Sequence, residues 1–227
     1  AAKQQTNGST DANGAAAPAA ARSRPLKELD MMLTELVSAV PVDVMSGKSD
    51  PSNQAMPQQP LHPVYFPEAS RYEHSLHTVT NPHDFAVDRT AFLGTSGQNV
   101  ADVMKFSDIG DANVNVSSRS SATSFIGDDA AKRAVAALSA TLRWQHIAPS
   151  APDTLACYPF KDRDPFVMET TPHVYFAGCQ EAFGYERVTH PNAGETVVIS
   201  VPKFSTTGTA VLVNTSTLEV FPLTFEC

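Results

Sequence analysis

Between His146 and Gly178 the chain reads HIAPSAPDTLACYPFKDRDPFVMETTPHVYFAG, and this proline-studded stretch limits the fold more than any other. Pro149, Pro152, Pro159 and Pro165 fix φ and remove backbone donors, so no long helix or central strand fits between Ala148 and Thr171. Tyr158, Phe160 and Phe166 sit among those prolines, a use of aromatics that disordered linkers avoid, so an ordered loop packed on a core is expected. The run His173 to Gly178 then reads as a short strand ending in glycine, where α/β folds place functional loops.

The flanking patterns are those of an α/β protein. Leu29, Met32, Leu33, Leu36, Val37 and Val40 recur at helical spacing, which predicts a helix from Pro25 stopped by Pro41, with these residues on one buried face. Residues 1–24 are Ala, Gly, Ser, Thr, Asn and Gln without apolar periodicity and are expected to be a disordered linker, leaving 25–227 as one folded unit. A strand over 42–45 should enter the loop Gly47–Pro51. The segment Pro57 to Pro67 reads as a packed loop through Leu61, Tyr65 and Phe66, with a proline-rich docking ligand as the alternative. Strands are expected over 76–80 and 85–93, with turns at Asn81-Pro82 and Asp88-Arg89. Gly94 to Gly97 reads as a turn needed for close packing, the competing reading being an anion held at the following helix start. Residues 110–124 look like a variable insertion, and Asp128-Asp129 should cap a helix to about Arg143. Strands over 197–201, 209–213 and 218–221 would close the chain as a meander.

Composition narrows the chemistry. A formal charge of −8, with sixteen Lys and Arg among 227 residues, gives no basic footprint for nucleic acid, so any link to DNA is expected to be indirect. No apolar run reaches bilayer length, so no membrane partner is expected. Cys157, Cys179 and Cys227 are odd in number and lack CxxC spacing, which fits reduced structural thiols in an intracellular compartment. Seven histidines show no metal-binding helical pair and read as surface or capping residues, and no serine or cysteine nucleophile has a recognisable frame. No cofactor is expected.

Five longer words carry a resemblance: VPVDVMSGKSDPSN from Val40, MPQQPLHP from Met56, FLGTSGQNVADV from Phe92, HIAPSAPDTLACYPF from His146 and PHVYFAG from Pro172. Together they resemble the small (B) subunits of replicative DNA polymerases, and within them the delta branch, over Leu26 to about Phe225. The resemblance implies an inactivated calcineurin-like phosphoesterase fold, two packed sheets flanked by helices, following an oligonucleotide-binding-type domain that this sequence lacks. It implies the C-terminal part of a longer subunit.

Active phosphoesterases hold two metals with Asp-x-His, Gly-Asp-x-x-Asp, Gly-Asn-His-Asp/Glu and Gly-His-x-His motifs. The first pair has no counterpart here. By the resemblance, Gly47-Lys48-Ser49-Asp50 stands in the third, with Lys and Ser for Asn and His. Gly178-Cys179-Gln180-Glu181 stands in the fourth, with both imidazoles gone, and His146 is the one imidazole left near a motif position. A protonated lysine cannot coordinate a dication, so Lys48, Ser49, Asp50, Cys179 and Glu181 are read as degenerate positions with neither catalysis nor metal.

The function implied is a non-catalytic nuclear accessory subunit in DNA replication, scaffolding the catalytic subunit of DNA polymerase delta through that subunit's C-terminal metal-binding tail. The third polymerase subunit would be held by the missing upstream region, and any iron-sulfur or zinc site belongs to the tail. Leu61, Tyr65, Phe66, Tyr158, Phe160 and Phe166 are the candidate contacts, since aromatics dominate interfaces, with packing inside their own domain an equal alternative. The rivals are a working metallophosphoesterase and a small subunit of polymerase epsilon or alpha.

Overall fold

A computed structural model describes residues 19–106, 125–126, 128–190 and 194–225. The expected insertion at 110–124 and most of the expected linker lie outside them. The chain divides into two compact units, residues 1–42 with 63–77 and residues 43–62 with 78–227, two of the boundaries falling within the short strands β1 (Val42–Met45) and β2 (Leu76–Val79).

The smaller unit is built on α1 (Ala19–Val37), which starts six residues before the expected boundary and carries Pro25 inside it. Its buried stripe is Asp30, Leu33 and Val37, whereas Leu29, Met32, Leu36 and Val40, expected on the buried face, are exposed. Asp30 explains the rotation. Its carboxylate accepts the backbone N–H groups of Glu68 (3.1 Å) and Ala69 (3.0 Å), the orphan donors at the start of a single 3-10 turn over Ala69–Arg71. Bonding this carboxylate to two amides turns the 30/33/37 line inward, beside buried Phe66 and Ala69.

In the larger unit a six-stranded mixed sheet has the order β3-β4-β6-β8-β7-β5. Its strands are β3 (His83–Val87), β4 (Thr90–Thr95), β5 (Phe125–Ile126), β6 (Val174–Gln180), β7 (Gly184–His190) and β8 (Gly194–Pro202). β4, β6 and β8 run parallel, with helices between β4 and β6 and the strand β7 between β6 and β8, and the others pair antiparallel. Their central runs FLG, VYF and VVIS are apolar at successive positions because both faces are covered. Register shows how: Phe92, Val174 and Val197 lie side by side, and so do Leu93, Tyr175 and Val198. The second row packs under α2 (Gln98–Val103) and α3 (Asp129–Trp144) with Val100, Leu138, Leu142 and Phe166. The first row packs against Val211, Val213 and Val220 of a separate hairpin, β9 (Thr209–Val213) with β10 (Val220–Thr224).

α3 begins as expected, Asp128 accepting the Ala131 N–H at 2.9 Å, and ends on Gln145 in the left-handed conformation. The expected closing meander is corrected. β8 is an inner strand of the main sheet, paired with β6 and β7, and a helical turn, α4 (Phe204–Thr207), separates it from the β9–β10 hairpin. Glu186, Arg187, Thr189 and His190 leave β7 without an apolar run, which hid that strand from sequence reading. Between His146 and Val174 there is neither helix nor strand, as the prolines dictate.

Tyr175 lies at the centre of the helix-side core, fully buried, its hydroxyl 3.2 Å from Thr141 Oγ1 and 3.5 Å from Asn99 Nδ2. Burial pushes its pKa up to about 12, against a partial lowering by those two bonds. A raised folded pKa means the neutral phenol is favoured in the native state. That stabilisation is complete below pH 10 and is lost as pH rises from 10 through 12, in all about 2–3 kcal/mol at 1.36 kcal/mol per unit. Denaturation at stepped pH should show this alkaline loss, and Tyr175→Phe should remove most of it. An unchanged slope in the variant would mean that another group governs the alkaline limb.

Candidate functional site

The parallel strands β4 and β6 end side by side, and their C-terminal ends carry Thr95-Ser96-Gly97-Gln98 and Gly178-Cys179-Gln180-Glu181. This edge is where open α/β sheets hold ligands. The two loops touch at backbone level: a Cβ on Gly97, whose φ is +95°, would lie 2.3 Å from the Gly178 carbonyl oxygen and 2.3 Å from Gln180 Nε2. Gly94 is as tight, a Cβ there falling 2.3 Å from Phe176 Cζ. Close packing therefore explains these glycines. The helix that follows, six residues long, is too short to make an anion site of its own.

Beside this edge lies a cluster of neutral amides. Asn81 is fully buried, and its Oδ1 accepts the Ser96 N–H at 3.1 Å, which fixes the orientation of the amide. Its Nδ2 faces Gln58 Oε1 at 2.8 Å, Ser96 Oγ at 2.5 Å and Gln98 Oε1 at 3.1 Å. Gln98 Nε2 donates to the same Gln58 oxygen at 2.8 Å, and the backbones of Gln58 and Asn81 exchange bonds of 2.7 and 3.1 Å. Gln58 Nε2 in turn donates to the carbonyls of Asn53 (3.0 Å) and Gly47 (3.2 Å). A continuous polar path thus runs from Gly47 through Gln58 and Asn81 to Ser96, whose neighbour Gly97 abuts Gly178.

The positions compared above with phosphoesterase motifs lie near this path and face solvent. Lys48, Ser49 and Asp50 are exposed, Asp50 Oδ2 turning back to accept the Gly47 N–H at 2.7 Å. Cys179 is exposed with φ +55°, and Glu181 is exposed. Among the described residues no three His, Cys, Asp or Glu side chains converge as a metal site would require. His146 lies in the proline loop, its Nε2 2.9 Å from Asp164 Oδ2. Burial alone would raise the Asp164 pKa, but the bonds from His146 and the Phe166 N–H outweigh it and hold the carboxyl below its usual range. His173 Nδ1 accepts the Ala91 N–H at 2.9 Å, and His83 lies with Nε2 3.3 Å from Asp43 Oδ2 and its ring stacked on Phe85.

A second polar anchor holds the proline loop to α2. Asp102, almost fully buried, accepts the hydroxyls of Ser150 and of Thr154 (2.7 Å) and the Lys105 ammonium (2.9 Å). Burial would raise its pKa, and these three donors more than offset that, so the carboxyl titrates below its usual range. Met56 exchanges backbone bonds with Ala156 and Tyr158, and Asn99 Nδ2 donates to the Ile147 carbonyl. Of the candidate contact residues, Leu61, Phe66 and Phe166 are buried and Tyr65 is half-buried. Tyr158 and Phe160 are 60% and 42% exposed, their rings edge to face at 5.3 Å.

Gln58, Asn81, Ser96, Gln98 and Asp102 were not singled out by sequence reasoning. The signal available was weak: Gln58, Ser96, Gln98 and Asp102 are polar residues inside the words MPQQP, SGQN and VADV, and Asn81 shows only as a turn residue before Pro82. The proline loop also contributes to a cleft of about 560 Å³ lined by His83, Asp84, Phe160, Arg163, Asp164 and Met168 among others. No described helix is long and apolar enough to cross a membrane.

Known proteins share this sequence over most of its length. The model of the DNA polymerase alpha/epsilon (B) subunit family matches residues 1–185. A DNA polymerase delta small subunit of Arabidopsis thaliana is 45% identical over 203 residues, covering 89% of this chain and 41% of the relative. The protein of the same name from Oryza sativa subsp. japonica is 40% identical over 217 residues, 94% of this chain and 45% of its own length. That of Saccharomyces cerevisiae is 38% identical over 204 residues, 86% and 41%. The chain spans less than half the length of these curated relatives.

Proposed function

Because this chain belongs to the DNA polymerase alpha/epsilon (B) subunit family, we propose that it serves a delta-type replicative polymerase in the nucleus as part of a non-catalytic scaffolding subunit. Its relatives named as delta small subunits support the branch. The observation that carries the non-catalytic reading is the amide cluster. On the proposed phosphoesterase-like architecture, the edge that would hold two dications is lined by Asn81, Gln58, Gln98 and Ser96. Neutral amides bonded to one another offer a dication no charge to offset the loss of its hydration, and Lys48 beside them adds repulsion.

The partner in this reading is the C-terminal metal-binding tail of the polymerase delta catalytic subunit. The third polymerase subunit would be held by the polypeptide outside the matched region, and DNA contacts would be indirect given the net charge of −8. Tyr158 and Phe160 are the proposed contact, since two exposed rings on a proline-stiffened loop lose little entropy on docking. The test is affinity for that tail, with the chain placed in a complete small subunit. Tyr158→Glu with Phe160→Glu should weaken binding at least tenfold, about 1.4 kcal/mol. A change within about threefold, roughly 0.6 kcal/mol, with the fold intact would show that the contact lies elsewhere. Stoichiometric manganese, with phosphodiester hydrolysis abolished by Asp50→Ala, would overturn the non-catalytic reading itself.

A further inference from the structure

The β9–β10 hairpin has two edges of unequal character. Asn214 N donates to the Glu219 carbonyl and Phe225 N to the Gly208 carbonyl, both at 2.9 Å, and the register pairs Val220 with Val213 through Thr224 with Thr209. In an antiparallel ladder these bonds fix the alternation: Ala210 and Leu212 bond to β10, while Val211 and Val213 direct their N–H and C=O groups away from it. On β10 the outward positions are Val220, Pro222 and Thr224.

Pro222 therefore sits where its missing N–H blunts that edge against strand addition. β9 carries no such device. It has no proline and no charged residue, and among the described residues no bond reaches the outward groups of Val211 or Val213. The hairpin's outer face is also uncovered: Leu212, its cross-strand neighbour Phe221, Leu223, and the Phe204–Phe225 ring pair are all exposed. Neither strand bears a charge, so the surface complements an uncharged apolar strand and would leave a charged one unpaired.

We propose that β9 is an acceptor edge, completed by an extended uncharged segment from the part of a delta-type small subunit that lies outside the matched region. The relatives carry more than half of their length there. The added strand bonds to Val211 and Val213 and lays alternate side chains beside Leu212. This rests on the family reading but not on the catalytic-subunit contact, whose binding is measured separately and can survive if β9 proves free.

Amide hydrogen exchange tests it, on this chain alone and on the complete subunit made by grafting the chain into the matched region of the Arabidopsis thaliana relative. Val211 and Val213 should exchange rapidly in the chain alone while Ala210 and Leu212 are protected, and should slow roughly 100-fold in the complete subunit. Val211→Pro should return Val213 to fast exchange there. Fast exchange at both positions in a folded complete subunit overturns the proposal. So does protection that grows with the concentration of the chain alone and tracks a dimer mass, or protection that appears only on adding the catalytic subunit. Should the graft leave Val197–Ile199 unprotected, the same readout is taken on the Arabidopsis relative itself, at the residues aligned with 211 and 213.

Discussion

Asn81→Leu is expected to destabilise the larger unit by roughly 3–5 kcal/mol, because one substitution strands several buried polar groups at once. The Ser96 N–H loses its acceptor, and Gln58 Oε1 keeps only the Gln98 donor. Leucine fits the volume but supplies neither partner, and a buried group left unbonded costs more than a bonded one contributes. Asn81→Asp separates chemistry from shape. Its carboxylate still accepts from Ser96 but turns a second oxygen toward Gln58 Oε1, so it should be comparably destabilising at pH 7 and recover in part in acid, where a protonated carboxyl donates again. Urea denaturation at unchanged m reads both effects. A loss under about 1 kcal/mol for Asn81→Leu would mean that water replaces the side chain and the cluster is not a closed network.

The scaffold and this cluster differ in how far they show in the sequence. Apolar runs such as FLG and VVIS announce buried strands, and Asp128 before an Ala- and Leu-bearing run announces α3, because hydrophobic burial and capping act over a few residues. α1 was legible as a helix but not in its rotation, which depends on Asp30 reaching amides thirty-eight and thirty-nine positions away. The amide cluster is hidden for the same reason. Gln58, Asn81 and Gln98 come from three separate segments, and nothing local distinguishes them from exposed amides. The resemblance pointed to the loops of Gly47 and Gly178, which lie beside the cluster. It drew attention to Lys48 and Glu181, which face solvent, and away from the neutral side chains between them.

The loops around that edge are held by backbone proximity as much as by hydrogen bonds, and three glycines allow the contributions to be separated. Gly194 has φ +82° with open space around its Cβ position, so Gly194→Ala should cost only the left-handed backbone penalty, about 1–2 kcal/mol. Gly94→Ala has an ordinary φ but drives a methyl into the Phe176 ring, whose rotation relieves part of the clash at about 1–3 kcal/mol. Gly97→Ala combines both faults, and the atom it meets is the Gly178 carbonyl oxygen, which moves only if the end of β6 moves. Its cost should exceed the other two together, at about 4 kcal/mol or more. The displacement should also loosen the Ser96 N–H from Asn81 Oδ1 one residue away, so the Ser96 amide should lose hydrogen-exchange protection while Val198 in the sheet keeps it. If instead Gly97→Ala proves no worse than Gly194→Ala, the β4 and β6 ends can separate without penalty. The edge would then be a deformable surface, not the rigid floor that the amide cluster needs.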